Sequence, residues 1–247
     1  MKICRFKNEG ITHIGIFDGL EVHLFGDDLK DHVRSFGIDE IELLPPVAPS
    51  KVVCIGRNYS EHAKELGNEV PTEPLLFLKA PSAIINNGDD IVIPPQSDQV
   101  EHEGELAVVI SKKCKGLTDA DDPLEYVFGY TCLNDVTARD LQRKDGQFTR
   151  AKSFDTFCPV GPHIETELDV SDLRVVTKVN GEIRQDGRTS QMVFPVGFLV
   201  RYISNMMTLN AGDVIATGTP SGVSKMNSGD ICEVEIEGIG VLRNVVV

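Results

Sequence analysis

Five short segments concentrate side chains able to do acid–base and metal chemistry. The densest is Val100-Glu101-His102-Glu103-Gly104-Glu105-Leu106-Ala107-Val108-Val109-Ile110. It runs into a strand, where residues two apart share a face, so Glu101, Glu103 and Glu105 project together at the entrance to a buried apolar run. Carboxylates crowded there repel one another unless a positive charge sits among them. A hard cation with oxygen ligands, such as Mg²⁺ or Mn²⁺, answers that need. An acidic, solvated strand end is the competing reading.

In the second segment, Tyr130 to Gln142, a β run ends at Asp135 and a helix starts at Thr137. An Asp at a strand end is a ligand position, and equally a helix N-cap. Arg139 and Gln142 lie three apart on one helical face, able to hold a carboxylate or oxo group or to form a surface pair. Lys152, in Ala151-Lys152-Ser153-Phe154-Asp155-Thr156, stands among small and aromatic residues. It can bind an enolate or 2-oxo group, or sit in an ordinary ion pair. Thr217-Gly218-Thr219-Pro220-Ser221-Gly222-Val223 is a turn-rich loop whose N–H groups and hydroxyls could cradle a carboxylate; a plain structural turn competes. In Gly56-Arg57-Asn58-Tyr59-Ser60-Glu61-His62-Ala63-Lys64-Glu65, His62 and Glu65 are three apart in a short helix. The carboxylate there can orient the imidazole, and the imidazole can activate water.

The elements that must position these groups are short. Strands are expected at 51–55, 75–79, 91–93, 105–111, 127–133, 174–179, 213–216 and 231–236, and a hairpin at 11–17 and 21–25 around Asp18-Gly19. Helices are expected at 29–36, 60–66, 137–143 and 196–206. Three prolines within residues 43–50 read as a stiff linker between a small cap, 1–48, and a main domain, 49–247. Strand and helix do not alternate regularly, and neither G-x-G-x-x-G nor a P-loop is present, so a doubly wound sheet, a TIM barrel and nucleotide binding fit poorly.

Composition agrees. Residues are 41% hydrophobic and 25% charged, and 24 basic against 38 acidic side chains leave a net charge of −14. Nucleic acid and anionic membrane are therefore poor partners. The six cysteines form no C-x-x-C pair and read as reduced, buried thiols. With no apolar leader and no membrane-length apolar run, the expected location is cytoplasmic.

Together and in this order, G-R-N-Y-S-E-H, E-H-E-G-E-L-A-V-V-I, N-D-V-T-A-R-D, A-K-S-F-D-T and T-G-T-P-S-G-V resemble the fumarylacetoacetate hydrolase family over Lys51 to Val247. The resemblance implies an α+β, mainly β fold: a rolled mixed sheet with short helices and a small N-terminal β-rich cap. It implies Glu103, Glu105 and Asp135 as metal ligands, for Mg²⁺, Mn²⁺ or Ca²⁺, with Glu101 outside the ligand pattern. It implies His62, Glu65 and Lys152 as catalytic groups, and Arg57, Tyr59, Arg139, Gln142 and Thr219 as substrate-binding residues. Some members carry a fourth carboxylate ligand seven residues before the histidine; here Ile55 stands there, so the site resembles the three-carboxylate site of acylpyruvate hydrolases, and the chain resembles the acylpyruvate hydrolase and 2-hydroxyhepta-2,4-diene-1,7-dioate isomerase-like subgroup. The implied reaction is metal-dependent hydrolysis of a C–C bond in a small 2,4-dioxo acid through an enolate, by a homodimer acting on a 2-oxo acid. The alternatives are isomerase, tautomerase or decarboxylase chemistry on 2-oxo dioates such as oxaloacetate or 2-hydroxyhepta-2,4-dienedioate. A non-catalytic metal- or ligand-binding protein is the alternative of another class.

Overall fold

Runs of β-branched and aliphatic residues between turn signals become strands at Val52–Gly56, Leu75–Lys79, Gly104–Ile110, Val127–Asn134, Arg174–Val179, Val214–Ala216 and Ile231–Ile236. The computed structural model describes residues 1–25 and 32–247. Among these the strands build a twelve-stranded mixed sheet, a five-stranded sheet and a two-stranded ribbon. The large sheet begins with the meander His32–Gly37, Glu21–Phe25, Ile11–Phe17, Lys2–Asn8. It continues through Cys158–Glu165, Val127–Asn134, Gly104–Ile110, Val214–Ala216, Val52–Gly56 and Leu75–Lys79. Most neighbours are antiparallel, but Val214–Ala216 runs parallel to Val52–Gly56. The second sheet is ordered Glu182–Arg188, Arg174–Val179, Ile231–Ile236, Gly240–Val246, Asp90–Ile91. This is the expected mainly β architecture with short helices.

Gly104–Ile110 is buried on both faces. Leu106, Val108 and Ile110 join a core with Val175, Val234 and the inner face of α4 (Val196–Met206). Ala107 and Val109 pack on the reverse side with Val52, Leu133 and Val214. Each such side chain contributes about 1.5–3 kcal/mol on burial, so slipping this strand by one residue would be costly. The register that the core imposes is the register that aims the carboxylates.

Several expectations are corrected. Part of the helix expected at 29–36 lies outside the described residues; His32–Gly37 is a strand paired with Glu21–Phe25, which seats Phe36 beside Phe6 and Val22. The helix expected from Thr137 is α2, Arg139–Asp145. Thr137 and Ala138 are extended and pair with Val100–Glu101. Strands Cys158–Glu165, Glu182–Arg188 and Gly240–Val246 and the short helix α3, Thr149–Lys152, were not expected. The six cysteines are buried and unpaired, as anticipated.

The N-terminal meander adds to the large sheet through Lys2↔Glu165 and Ile3↔Ile164. Its turn is held by Asp18, whose carboxylate accepts from the Leu20 and Glu21 N–H groups. No helix among the described residues is long and apolar enough to cross a membrane.

Candidate active site

The carboxylates meet because two strands end together. Gly104 pairs with Asn134 and Glu105 with Leu133. Just beyond, the Asp135 N–H donates to the Glu103 carbonyl at 2.8 Å, and the Asn134 side chain accepts from Glu103 N–H at 2.9 Å. One ligand oxygen from each of Glu103, Glu105 and Asp135 lies within 4.8 Å of the others, and all three residues are buried. Gly104 must be glycine: a Cβ there would stand 2.1 Å from Thr177 Oγ1 of the second sheet.

Glu101 does not sit on the same continuous strand. The strand is interrupted at His102 and Glu103, and Val100–Glu101 belongs to the ribbon. His102 is buried and clamped there, Nδ1 to Gln185 Oε1 at 3.1 Å and Nε2 to Ser224 Oγ at 2.9 Å. Because Gln185 Oε1 also accepts from Gly104 N–H, the proton on His102 is assigned to Nδ1.

Three buried cations face these carboxylates. Lys152 donates to Glu103 and to Asp135, both at 2.7 Å, and its ammonium lies 5.1 Å from the Phe77 ring centre. Lys79 donates to the other Asp135 oxygen at 2.7 Å and to the Val136 carbonyl. Arg139 gives Nε to Glu101, one terminal nitrogen to Glu103 and the other to Gln142 Oε1. Asp135 is thus no helix cap; α2 follows Ala138, with no side-chain cap. Burial would lower the proton affinity of Lys152, but Asp135 and Glu103 outweigh it and hold the ammonium above the ordinary lysine value. Burial likewise opposes ionisation of Glu103, and Lys152 and Arg139 overcome it, keeping Glu103 well below the usual carboxylate range.

Glu105 differs. It forms no ion pair among the described residues, and its one side-chain bond is from Gly218 N–H at 2.7 Å. Burial, then the charges of Asp135 and Glu103, push its pKa well above the ordinary value. Three converging oxygen donors, one of them an uncompensated carboxylate, fit a hard divalent cation of the Mg²⁺ or Mn²⁺ kind.

The Thr217–Val223 loop closes the other side. Gly218 has φ +99°, and a Cβ on it would come within 2.7 Å of Asn58 Cβ, so glycine alone lets its N–H reach Glu105. Thr219 donates its hydroxyl to the Gly104 carbonyl and accepts from Gln185 Nε2. His62, on α1 (Ser60–Glu65), is buried, with Nδ1 3.3 Å from Glu65 Oε2. Glu65 in turn accepts from Gly222 N–H, so the loop and the dyad are joined. Tyr59 is buried, and its hydroxyl has no hydrogen-bond partner among the described residues.

A cavity of about 540 Å³ brings Arg57, His62, Glu103, Glu105, Arg139, Gln142, Lys152 and Thr219 to one surface. Asp135 lies beneath them, fully buried. Tyr59 is not among the lining residues. Lys79, Gln185 and Asn58 escaped the sequence reading. Each is polar, fully or almost fully buried, and bonded to a site element from a distant part of the chain. The one available signal was a lysine ending the apolar run Leu75–Lys79.

A mainly β scaffold presenting converging carboxylates to a cavity belongs to the class of folds able to hold a metal ion beside a small molecule. Within that class the chain belongs to the fumarylacetoacetate hydrolase family: residues 51–247 match the family's description, "Fumarylacetoacetate (FAA) hydrolase C-terminal". It is 43% identical over 232 residues to an oxaloacetate tautomerase of Bacillus subtilis, spanning 87% of this chain and 77% of that protein. It is 44% identical to the solved 5-carboxymethyl-2-hydroxymuconate delta-isomerase of Mycobacterium smegmatis, at TM-score 0.90 over 100% of this chain and 98% of that one. It is 40% identical to the solved 2-hydroxyhepta-2,4-diene-1,7-dioate isomerase of Mycobacterium marinum, with TM-score 0.90 and the same coverage of 100% and 98%.

Proposed function

We propose that this chain is a divalent-metal-dependent isomerase or tautomerase of small 2-oxo dicarboxylic acids. The likeness to relatives named for those reactions, over at least 87% of the chain, carries the reading. C–C bond hydrolysis is the second reading, favoured by the oriented His62–Glu65 pair. In either case residues 49–247 do the chemistry and 1–48 form a cap, in a cytoplasmic homodimer; gel filtration tests the dimer.

Glu103, Glu105 and Asp135 would hold the divalent cation, which would supply Lewis acidity toward the 2-oxo acid head. The chain's own groups do the rest. Glu65 engages His62 at Nδ1, which leaves Nε2 to carry a proton to or from C3 of the substrate. Lys152 commits two of its three N–H donors to Glu103 and Asp135, and the third is free for the substrate's C2 oxygen. Since those carboxylates keep Lys152 charged, it stabilises negative charge on that oxygen while the proton moves. Gln142 gives its carbonyl to Arg139 and keeps its amide donors for the substrate. Moving a proton between C3 and O2 in this way interconverts keto and enol without breaking a carbon–carbon bond.

The test follows the enol absorbance of oxaloacetate, and in parallel pyruvate release from acetylpyruvate, with Mg²⁺ or Mn²⁺ and with chelator. Metal-dependent enol decay that collapses in His62→Ala, with no pyruvate formed, is the expected result. Metal-dependent pyruvate release lost in the same variant would transfer the function to the hydrolase reading.

A further inference from the structure

Most donors around the carboxylates are already committed, and this isolates one cation. The Arg139 guanidinium is divided among Glu101, Glu103 and Gln142. The Lys79 ammonium serves Asp135 and Val136, and the Thr219 proton goes to Gly104. Arg57 lines the same cavity, half-buried, and makes no hydrogen bond or ion pair among the described residues.

Its backbone is strained as well. Arg57 has φ +60°, a conformation costing a non-glycine residue about 1–2 kcal/mol. Both neighbours hold it there. Gly56 ends its strand against Leu75, with room for a Cβ only at 3.0 Å from Leu75 Cδ2. Asn58 is fully buried; its amide donates to the Phe194 and Thr217 carbonyls and accepts from Phe194 N–H. A guanidinium lining a cavity on a strained, pinned backbone, with no partner among the described residues, is suited to an anion that arrives with the ligand. Arg143 lines the same cavity, and its one side-chain hydrogen bond among the described residues is a 3.3 Å contact to Gln99. Of the other lining residues, Leu66, Leu75, Phe77 and Phe148 are apolar and Asn68 is uncharged, so they offer a carboxylate no charge partner.

We propose that Arg57, assisted by Arg143, binds the distal carboxylate of a 2-oxo dicarboxylic acid and thereby selects dioates over 2-oxo monocarboxylic acids of equal length. The inference rests on the 2-oxo acid reading of the metal-side half of the cavity. A charge-assisted, bidentate contact of this kind gives a preference of about 10- to 100-fold.

The experiment measures, by calorimetry on the Mg²⁺-loaded protein, the affinities of 2-oxoglutarate and 2-oxopentanoate. These acids share chain length and head and differ in the distal carboxylate. Wild type is compared with Arg57→Asn, since Asn tolerates the left-handed backbone, and with Arg57→Gly should the first variant unfold. Preference for 2-oxoglutarate in wild type that shrinks to about threefold or less in the variant, with Arg143→Gln lowering it partway, supports the proposal. Equal binding of the two acids to wild type overturns it, as does a preference that survives loss of Arg57. Binding of neither acid to wild type would instead show that the 2-oxo acid reading itself has failed, and the inference with it.

Discussion

Four buried carboxylates, Glu101, Glu103, Glu105 and Asp135, face three buried cations, Lys79, Lys152 and Arg139. Deleting one member of such a set leaves its partner buried and undercompensated. Lys79→Met should therefore lower stability by about 3–5 kcal/mol in urea titrations; a loss under about 1 kcal/mol would mean that Asp135 does not need this lysine. Glu105→Gln should behave in the opposite way. It removes a carboxylate that burial and the charges of Asp135 and Glu103 disfavour, so the melting temperature in chelator should rise. Mg²⁺ affinity, read by titration calorimetry, should fall by about 100-fold or more, beyond the 10- to 100-fold seen when only an outer partner of a ligand is lost. Undiminished affinity would remove Glu105 from the ligand set.

At the scale of elements, the loop after Val214–Ala216 does more than turn the chain. Gly218→Ala would drive a Cβ onto Asn58 in a left-handed backbone, costing about 1–3 kcal/mol and withdrawing an N–H from Glu105. Chemical denaturation together with Mg²⁺ titration should therefore show both properties falling. A variant as stable as wild type would show that the loop adapts. α4 (Val196–Met206) was legible residue for residue because its 3.6-residue apolar period is local. Cys158–Glu165 was not: Pro159, Gly161 and Pro162 interrupt any local β pattern, and only tertiary pairing with Val127–Asn134 keeps it extended through an irregular register. Thr137 and Ala138 read as helix because the residues after them are helical; their partners, Val100 and Glu101, lie outside any local window.

Across the whole molecule, the N-terminal strands meet the body near His163, which stands 6.3 Å from the Phe17 ring. Burial, and after it the charge of Lys2, lowers this imidazole to about 4. The unfolded chain takes up the proton below its ordinary value near 6.5, while the native state resists until about 4. The stability that neutral His163 provides is therefore complete above pH 6.5 and declines as pH falls toward 4. Urea midpoints at pH 7.5 and 5 should show that decline, smaller in His163→Gln; an identical decline in the variant would place the proton elsewhere. Metal binding acts on the same global equilibrium. Mg²⁺ at 100 times its dissociation constant should add about 2.7 kcal/mol, visible as a raised melting temperature that Glu103→Ala abolishes. A shift that persists in that variant would place the ion outside the three-carboxylate cluster.

The amino-acid sequence by itself determined which side chains could act and which close neighbours share a face: Glu103 with Glu105, Arg139 with Gln142, His62 with Glu65. Those relations follow from the two-residue period of a strand and the 3.6-residue period of a helix, which any short window contains. Tertiary structure alone decided the partners. Lys79 reaches Asp135 across 56 positions, Gly218 reaches Glu105 across 113, and Gln185 joins Gly104 across 81. Only sheet register, set by burying apolar faces on both sides of Gly104–Ile110, brings such distant residues within hydrogen-bonding distance.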